Sequence, residues 1–139
     1  MTHNRPRILA IDDTPANLMT LGAALGTEFD FQIATSGHEG LTLAAQRPPD
    51  IIILDVMMPQ MDGFETCRRL KGDTKLQHVP VIFLTSLTEP DAESIGLSLG
   101  AADYLTKPIN MGEIKSVGRL NANFGSYCAP YIKKSRRQT

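Results

Sequence analysis

The sequence predicts one α/β domain: a doubly wound, five-stranded parallel sheet with helices on both faces. Two observations carry this. Five short apolar segments alternate with helical patterns along 139 residues. The strongest of them, Arg7–Ile11 (RILAI), Ile51–Leu54 (IIIL) and Val81–Leu84 (VIFL), lack strict alternation, as expected of parallel strands covered on both faces. A hydrophobic fraction of 42% lets a chain of this length build its core without disulfides or a structural metal.

Each element has its own justification. Arg7–Ile11 is the first strand. Thr14-Pro15 then supplies an N-cap and a first-turn proline, Leu18, Leu21 and Leu25 follow at helical spacing, and Gly26 stops the helix. Phe31–Ala34 is a weaker strand, expected near a sheet edge. Ser36 opens a second helix with Leu41, Ala44 and Ala45 facing inward, closed by Pro48-Pro49. Ile51–Leu54 is the third strand, and Asp62-Gly63 opens a helix that places Phe64, Cys67 and Leu70 on one side. Pro80 precedes the fourth strand. Thr88 or a neighbour begins the next helix, which runs through Ala92, Ile95 and Leu99 to Gly100. Tyr104–Leu105 is a short fifth strand. Asn110 with Glu113 forms a capping-box-like start for a fifth helix, which then meets the poor helix formers Gly118, Asn121, Asn123 and Gly125. A βα alternation of this kind folds through right-handed crossovers.

Charge and cysteine content exclude several classes. The formal net charge is −1, with 14 basic and 15 acidic residues, which argues against an obligate polyanion binder. Four of those bases lie in Lys133–Thr139, so residues 1–132 hold 10 bases against 15 acids and are acidic. Residues 1–125 are expected to form the folded domain, and 126–139 a mobile basic extension. The longest apolar run falls far short of a membrane span, and the first residues lack the apolar core of a signal peptide. Cys67 and Cys128 fit neither a CxxC motif nor a disulfide framework, and Cys67 reads as a buried small hydrophobe. His3, His38 and His78 read as solvated. A cytoplasmic protein without a membrane or specific nucleic-acid partner is the expectation.

In a doubly wound sheet, ligands bind beyond the carboxyl ends of the strands. Asp12 and Asp13 close the first apolar run, Asp55 the third and Thr85 the fourth, while Lys107 follows the fifth. Three carboxylates, a hydroxyl and an amine therefore converge on one edge. Unpaired, such carboxylates repel one another and hold raised pKa values. A hard cation such as Mg²⁺ relieves the repulsion, and it takes carboxylate, carbonyl, water and phosphate oxygens. Lys107 would neutralise phosphoryl oxygens, the Thr85 hydroxyl could donate to one, and a carboxylate can itself be the nucleophile.

These motifs together resemble the response-regulator receiver domain of bacterial two-component signalling, the CheY-like superfamily. The matching segments are ILAI-Asp12-Asp13, IIIL-Asp55-VMMPQM-Asp62-Gly63, PVIFL-Thr85-Ser86 and ADYLT-Lys107-Pro108. The match covers residue 7 to about 117. The resemblance implies a flavodoxin-like strand order of 2-1-3-4-5. It implies that Asp55 accepts a phosphoryl group from a phosphohistidine of a sensor histidine kinase or a phosphotransfer protein. Asp13, Asp55 and the backbone carbonyl of Met57 would hold Mg²⁺ directly, with Asp12 acting mostly through water. Lys107 and Thr85 would bind the phosphoryl group, Ser86 would border it, and Tyr104 would move inward as the switch. Lys107-Pro108 would be a cis peptide, and Asp62 and Gly63 would be structural. A shift between two pre-existing states would then alter the surface offered to a downstream protein partner, with the chain monomeric or a weak, phosphorylation-dependent dimer.

Three rival readings remain beside this one. The chain could be the receiver portion of a longer regulator or hybrid kinase. A flavin-binding domain shares the layering, but it wants a Ser/Thr/Gly-rich first loop where this chain has Asp12-Asp13-Thr14-Pro15. An aspartyl-phosphate phosphatase would share the Asp nucleophile and Mg²⁺, but it wants an acid two residues after the nucleophile. Position 57 is methionine. Without that group the phosphoryl-aspartate should persist as a signal, and turnover enzymology is not expected.

Overall fold

The computed structural model describes residues 5–86 and 91–109. Strands and helices alternate throughout them: β1 (Arg7–Ile11), α1 (Pro15–Leu25), β2 (Asp30–Ala34), α2 (Gly37–Gln46), β3 (Ile51–Asp55), α3 (Gly63–Lys71), β4 (Val81–Thr85), α4 (Ala92–Ser98) and β5 (Asp103–Thr106). The strands form one sheet in the order β2-β1-β3-β4-β5, with every neighbouring pair parallel. Chain order reverses at β1, which has β2 on one side and β3 on the other. That is the switch point where such sheets open a crevice.

The continuous apolar runs are explained by burial on two faces. Every residue of β1, β3 and β4 is buried. Alternate side chains go to opposite layers, as the twofold period of a strand requires. Ile8, Ala10, Ile51, Ile53, Ile82 and Leu84 pack with Leu18, Leu21 and Leu25 of α1. Leu9, Ile11, Ile52, Leu54, Val81 and Phe83 face the other way, toward Ala44 of α2 and Cys67 and Leu70 of α3. Phe83 meets Phe64 edge-on, with ring centroids 5.4 Å apart. Cys67 is fully buried, as a small hydrophobe would be.

Several local expectations change in tertiary context. Ala45 is exposed, not inward, and Leu41 is only half-buried. The inward positions of α2 belong instead to Gly37, Gly40 and Ala44. A Cβ at Gly40 would overlap the Ile11 side chain, so the helix comes close by having none. In α4, Ile95 is 40% exposed, and Ala92 and Gly96 are the buried positions. Thr14 stands at the N-cap of α1, but its side chain makes no capping bond. Ser36 and Asp62 do cap, accepting from the backbone N–H of Glu39 at 3.1 Å and of Glu65 at 2.9 Å. β3 and β4 each run one residue further than their apolar segments, through Asp55 and Thr85. Thr88, the fifth helix from Asn110 and the 126–139 extension lie outside the described residues. Among the described residues no helix is long and apolar enough to cross a membrane.

Candidate functional site

The switch point between β1 and β3 carries the acids. Asp12 follows β1 directly and is buried, Asp13 is exposed, and Asp55 ends β3 with 1% of its surface accessible. One carboxylate oxygen from each lies within 4.8 Å of the others. Local bonds fix Asp12: its Oδ1 accepts from the Thr14 backbone N–H at 2.9 Å and its Oδ2 from the Asn17 side-chain amide at 3.0 Å. Asp55 is held by the sheet itself, since it pairs in register with Leu84 of β4.

Lys107 reaches this cluster from beyond β5. Its ammonium lies 2.7 Å from Asp55 Oδ1. At that distance the pair is a close ion pair, and among the described residues no backbone N–H or further side chain donates to either Asp55 oxygen. The Lys107 backbone N–H donates to the Thr85 carbonyl at 2.6 Å, which ties the segment after β5 to the end of β4. The Lys107–Pro108 peptide is cis.

Burial dominates the electrostatics of Asp55 and pushes its pKa up to about 6; Lys107 opposes this, and the charges of Asp12 and Asp13 add to it. Three close carboxylates, two of them buried, are the donor set that a hard divalent cation takes.

The remaining predicted residues surround this centre unequally. Thr85 is buried at the end of β4, one residue past the partner of Asp55, and Ser86 is half-buried behind it. Tyr104 is half-buried, pairs in register with Phe83 and packs against the α2–α3 layer. Met57 is 65% exposed in the loop after β3. Asp62 stands apart from the acid cluster as the cap of α3. Gly63 has a tighter role than a turn: its N–H donates to the Val56 carbonyl at 2.8 Å, and a Cβ there would overlap the Asp55 backbone carbonyl. His38 and His78 are exposed, and His3 lies outside the described residues.

Asn17 escaped the reading of the sequence. An amide in the first turn of an amphipathic helix looks like any solvated residue, and only the fold brings it to Asp12.

The family model for the response regulator receiver domain matches residues 8–118. The chain belongs to the response regulator receiver family. It is 48% identical over 105 residues to the response regulator PleD of Caulobacter vibrioides, covering 75% of this chain and 23% of PleD. It is 37% identical over 106 residues to PilH of Pseudomonas aeruginosa, covering 75% of this chain and 87% of PilH. Among solved structures, the signal receiver domain of a signal transduction histidine kinase from Syntrophus aciditrophicus superposes with a TM-score of 0.78. That match has 36% identity and covers 86% of this chain and 92% of that one. The chemotaxis protein CheY4 of Vibrio cholerae superposes with a TM-score of 0.76 at 30% identity, covering 83% and 98%. The chain spans about a quarter of the length of several curated relatives that it matches. As a receiver domain it is a module of two-component signalling, a class of signal transducers that takes Mg²⁺ in an acidic pocket.

Proposed function

We propose that this receiver takes a phosphoryl group on Asp55 from a phosphohistidine of a sensor kinase or phosphotransfer protein, and that the modification switches its output surface. The observation that carries the proposal is the Asp55 carboxylate, buried at the sheet's switch point beside Asp12 and Asp13 with the Lys107 ammonium 2.7 Å from its Oδ1. With a pKa of about 6 it is mostly ionised at pH 7 and competent as a nucleophile. A carboxylate oxygen attacks phosphorus, an O–P bond forms, and the P–N bond to the imidazole breaks. The bonding pair leaves with the imidazole nitrogen. Mg²⁺ held by Asp13, Asp55 and the Met57 carbonyl, with Asp12 acting mostly through water, would supply charge neutralisation for the phosphoryl oxygens.

The chain's own groups do the rest. The Lys107 ammonium, already against Asp55, pairs with a phosphoryl oxygen once the aspartate is esterified. The Thr85 hydroxyl donates to another, and the small Ser86 side chain leaves room beside it. Tyr104 follows Thr85 inward and changes the surface formed by α4 and β5 for a protein partner. Asn17 positions Asp12 and is not itself a ligand. The test is labelling with acetyl phosphate in Mg²⁺: the native chain incorporates the phosphoryl group and Asp55→Asn does not. Equal incorporation by Asp55→Asn would overturn the assignment.

The share of PleD that this chain spans favours a second, compatible reading, in which the receiver serves a longer regulator. A phosphatase is disfavoured by Met57, whose thioether cannot deliver or accept the proton that turnover would need two residues after the nucleophile.

A further inference from the structure

The opposite end of the sheet holds a second charged site. A cavity of about 480 Å³ opens at the amino-terminal ends of β1 and β3, lined by Arg5, Arg7, Asp30, Arg47, Pro48 and Asp50. It is separated from the acid cluster by the length of β1, roughly 16 Å at about 3.3 Å per residue.

Its positive charge is incompletely answered. The Arg7 side chain is only 9% exposed, a burial that arginine rarely reaches without partners. Its Nη2 donates to Asp30 Oδ2 at 3.2 Å, which uses one of five guanidinium N–H groups; among the described residues no other side-chain bond of Arg7 is formed. The same Asp30 oxygen is 4.0 Å from Arg47, so one carboxylate serves two guanidiniums. Asp50 commits one of its two carboxylate oxygens to the main chain, Oδ2 accepting the Arg7 backbone N–H at 2.7 Å. Arg5 donates to the neutral carbonyls of Gly26 and Thr27 at 3.1 and 2.7 Å. Three cations thus face two anions inside a concavity, in a chain whose first 132 residues are acidic overall.

A cross-strand ion pair accounts for part of this, because Arg7 and Asp30 are register partners of β1 and β2. It does not account for Arg5 and Arg47 converging on the same cavity. The guanidinium fork matches phosphate and carboxylate oxygens, and the volume lies in the range of small-molecule sites. We propose that this cavity binds a small organic oxyanion, a phosphate or carboxylate seated on Arg7 and Arg47, with Asp30 and Asp50 accepting from the hydroxyl or amino groups of the same ligand. The site is independent of phosphorylation at Asp55.

The experiment is an NMR titration of the whole chain without divalent metal, using inorganic phosphate, acetate and chloride at matched ionic strength. The amides of Arg5, Arg7, Asp30, Arg47 and Asp50 should shift and saturate with phosphate or acetate but not with chloride, and the tighter of the two identifies the headgroup. Arg47→Gln, at an exposed position, should weaken that binding at least tenfold while Arg47→Lys keeps more of it. Labelling of Asp55 by acetyl phosphate should be unchanged in both variants. Non-saturating shifts equal to those in chloride would overturn the proposal, as would undiminished saturation in Arg47→Gln.

Discussion

At Asp55 the same burial that shields the proposed phosphoacceptor also costs stability. In metal-free protein the folded carboxyl titrates at about 6 against an ordinary 3.8, so between those values the native state binds a proton that the unfolded chain has lost. The group's contribution is complete below 3.8 and disappears as pH rises through 6, roughly 3 kcal/mol in all. Asp55→Asn has no such titration. Its melting temperature relative to the native chain should therefore rise from pH 4 to pH 7, and parallel profiles in EDTA would contradict the burial argument. Mg²⁺ acts on the same repulsion. At about 100 times its dissociation constant it should add roughly 2.7 kcal/mol, measured as a raised melting temperature. Asp13→Ala should lose most of that response and Asp62→Ala should keep it, because Asp62 caps α3 through the Glu65 N–H and lies outside the cluster.

Elements are set against the sheet by what their closest residues lack. Gly63 begins α3 directly over the Asp55 carbonyl, a rigid backbone atom that cannot move aside for a Cβ. Gly63→Ala should cost about 2–3 kcal/mol, seen in urea unfolding, and should slow acetyl-phosphate labelling by displacing the end of β3. At Gly96 the neighbour is the Phe83 ring, whose Cδ2 would lie 2.6 Å from an added Cβ. A side chain can turn where a backbone cannot, so Gly96→Ala should cost less and leave labelling near normal. The sequence predicted both helices here but neither close approach. A glycine in a helical pattern reads as a weak helix former; only the packed neighbour reveals why no larger residue stands there. The outward turn of Ala45 and Ile95 has the same origin, since Gly40 and Gly96 hold the positions nearest the sheet.

Across the whole molecule, stability should be graded from the centre of the sheet outward. β1, β3 and β4 are buried along their full length, whereas β2 exposes Asp30 and Ile33. Native-state hydrogen exchange should find the slowest amides in Ile8–Ile11, Ile51–Leu54 and Ile82–Leu84, with β2 faster as a group. Comparable protection in β2 would show that its outer edge is covered. Two charged ends then share one sheet: the carboxyl edge holds the acid cluster and Lys107, and the amino edge holds the arginine-lined cavity.

By itself the sequence determined the α/β class, the alternation of elements and the convergence of Asp12, Asp13, Asp55, Thr85 and Lys107, because parallel strands bury continuous apolar runs and polar residues must follow where burial ends. It placed strand ends within a residue or so, since the last rungs at Asp55 and Thr85 are polar yet still paired in the ladder. Tertiary structure alone decided what touches what. Asn17 on Asp12, Gly63 against Asp55 and Arg5, Arg7 and Arg47 around one cavity join residues whose contacts depend on helix rotation and strand register. Neither leaves a period in the sequence, so each became legible only when the sheet brought distant segments within bonding distance.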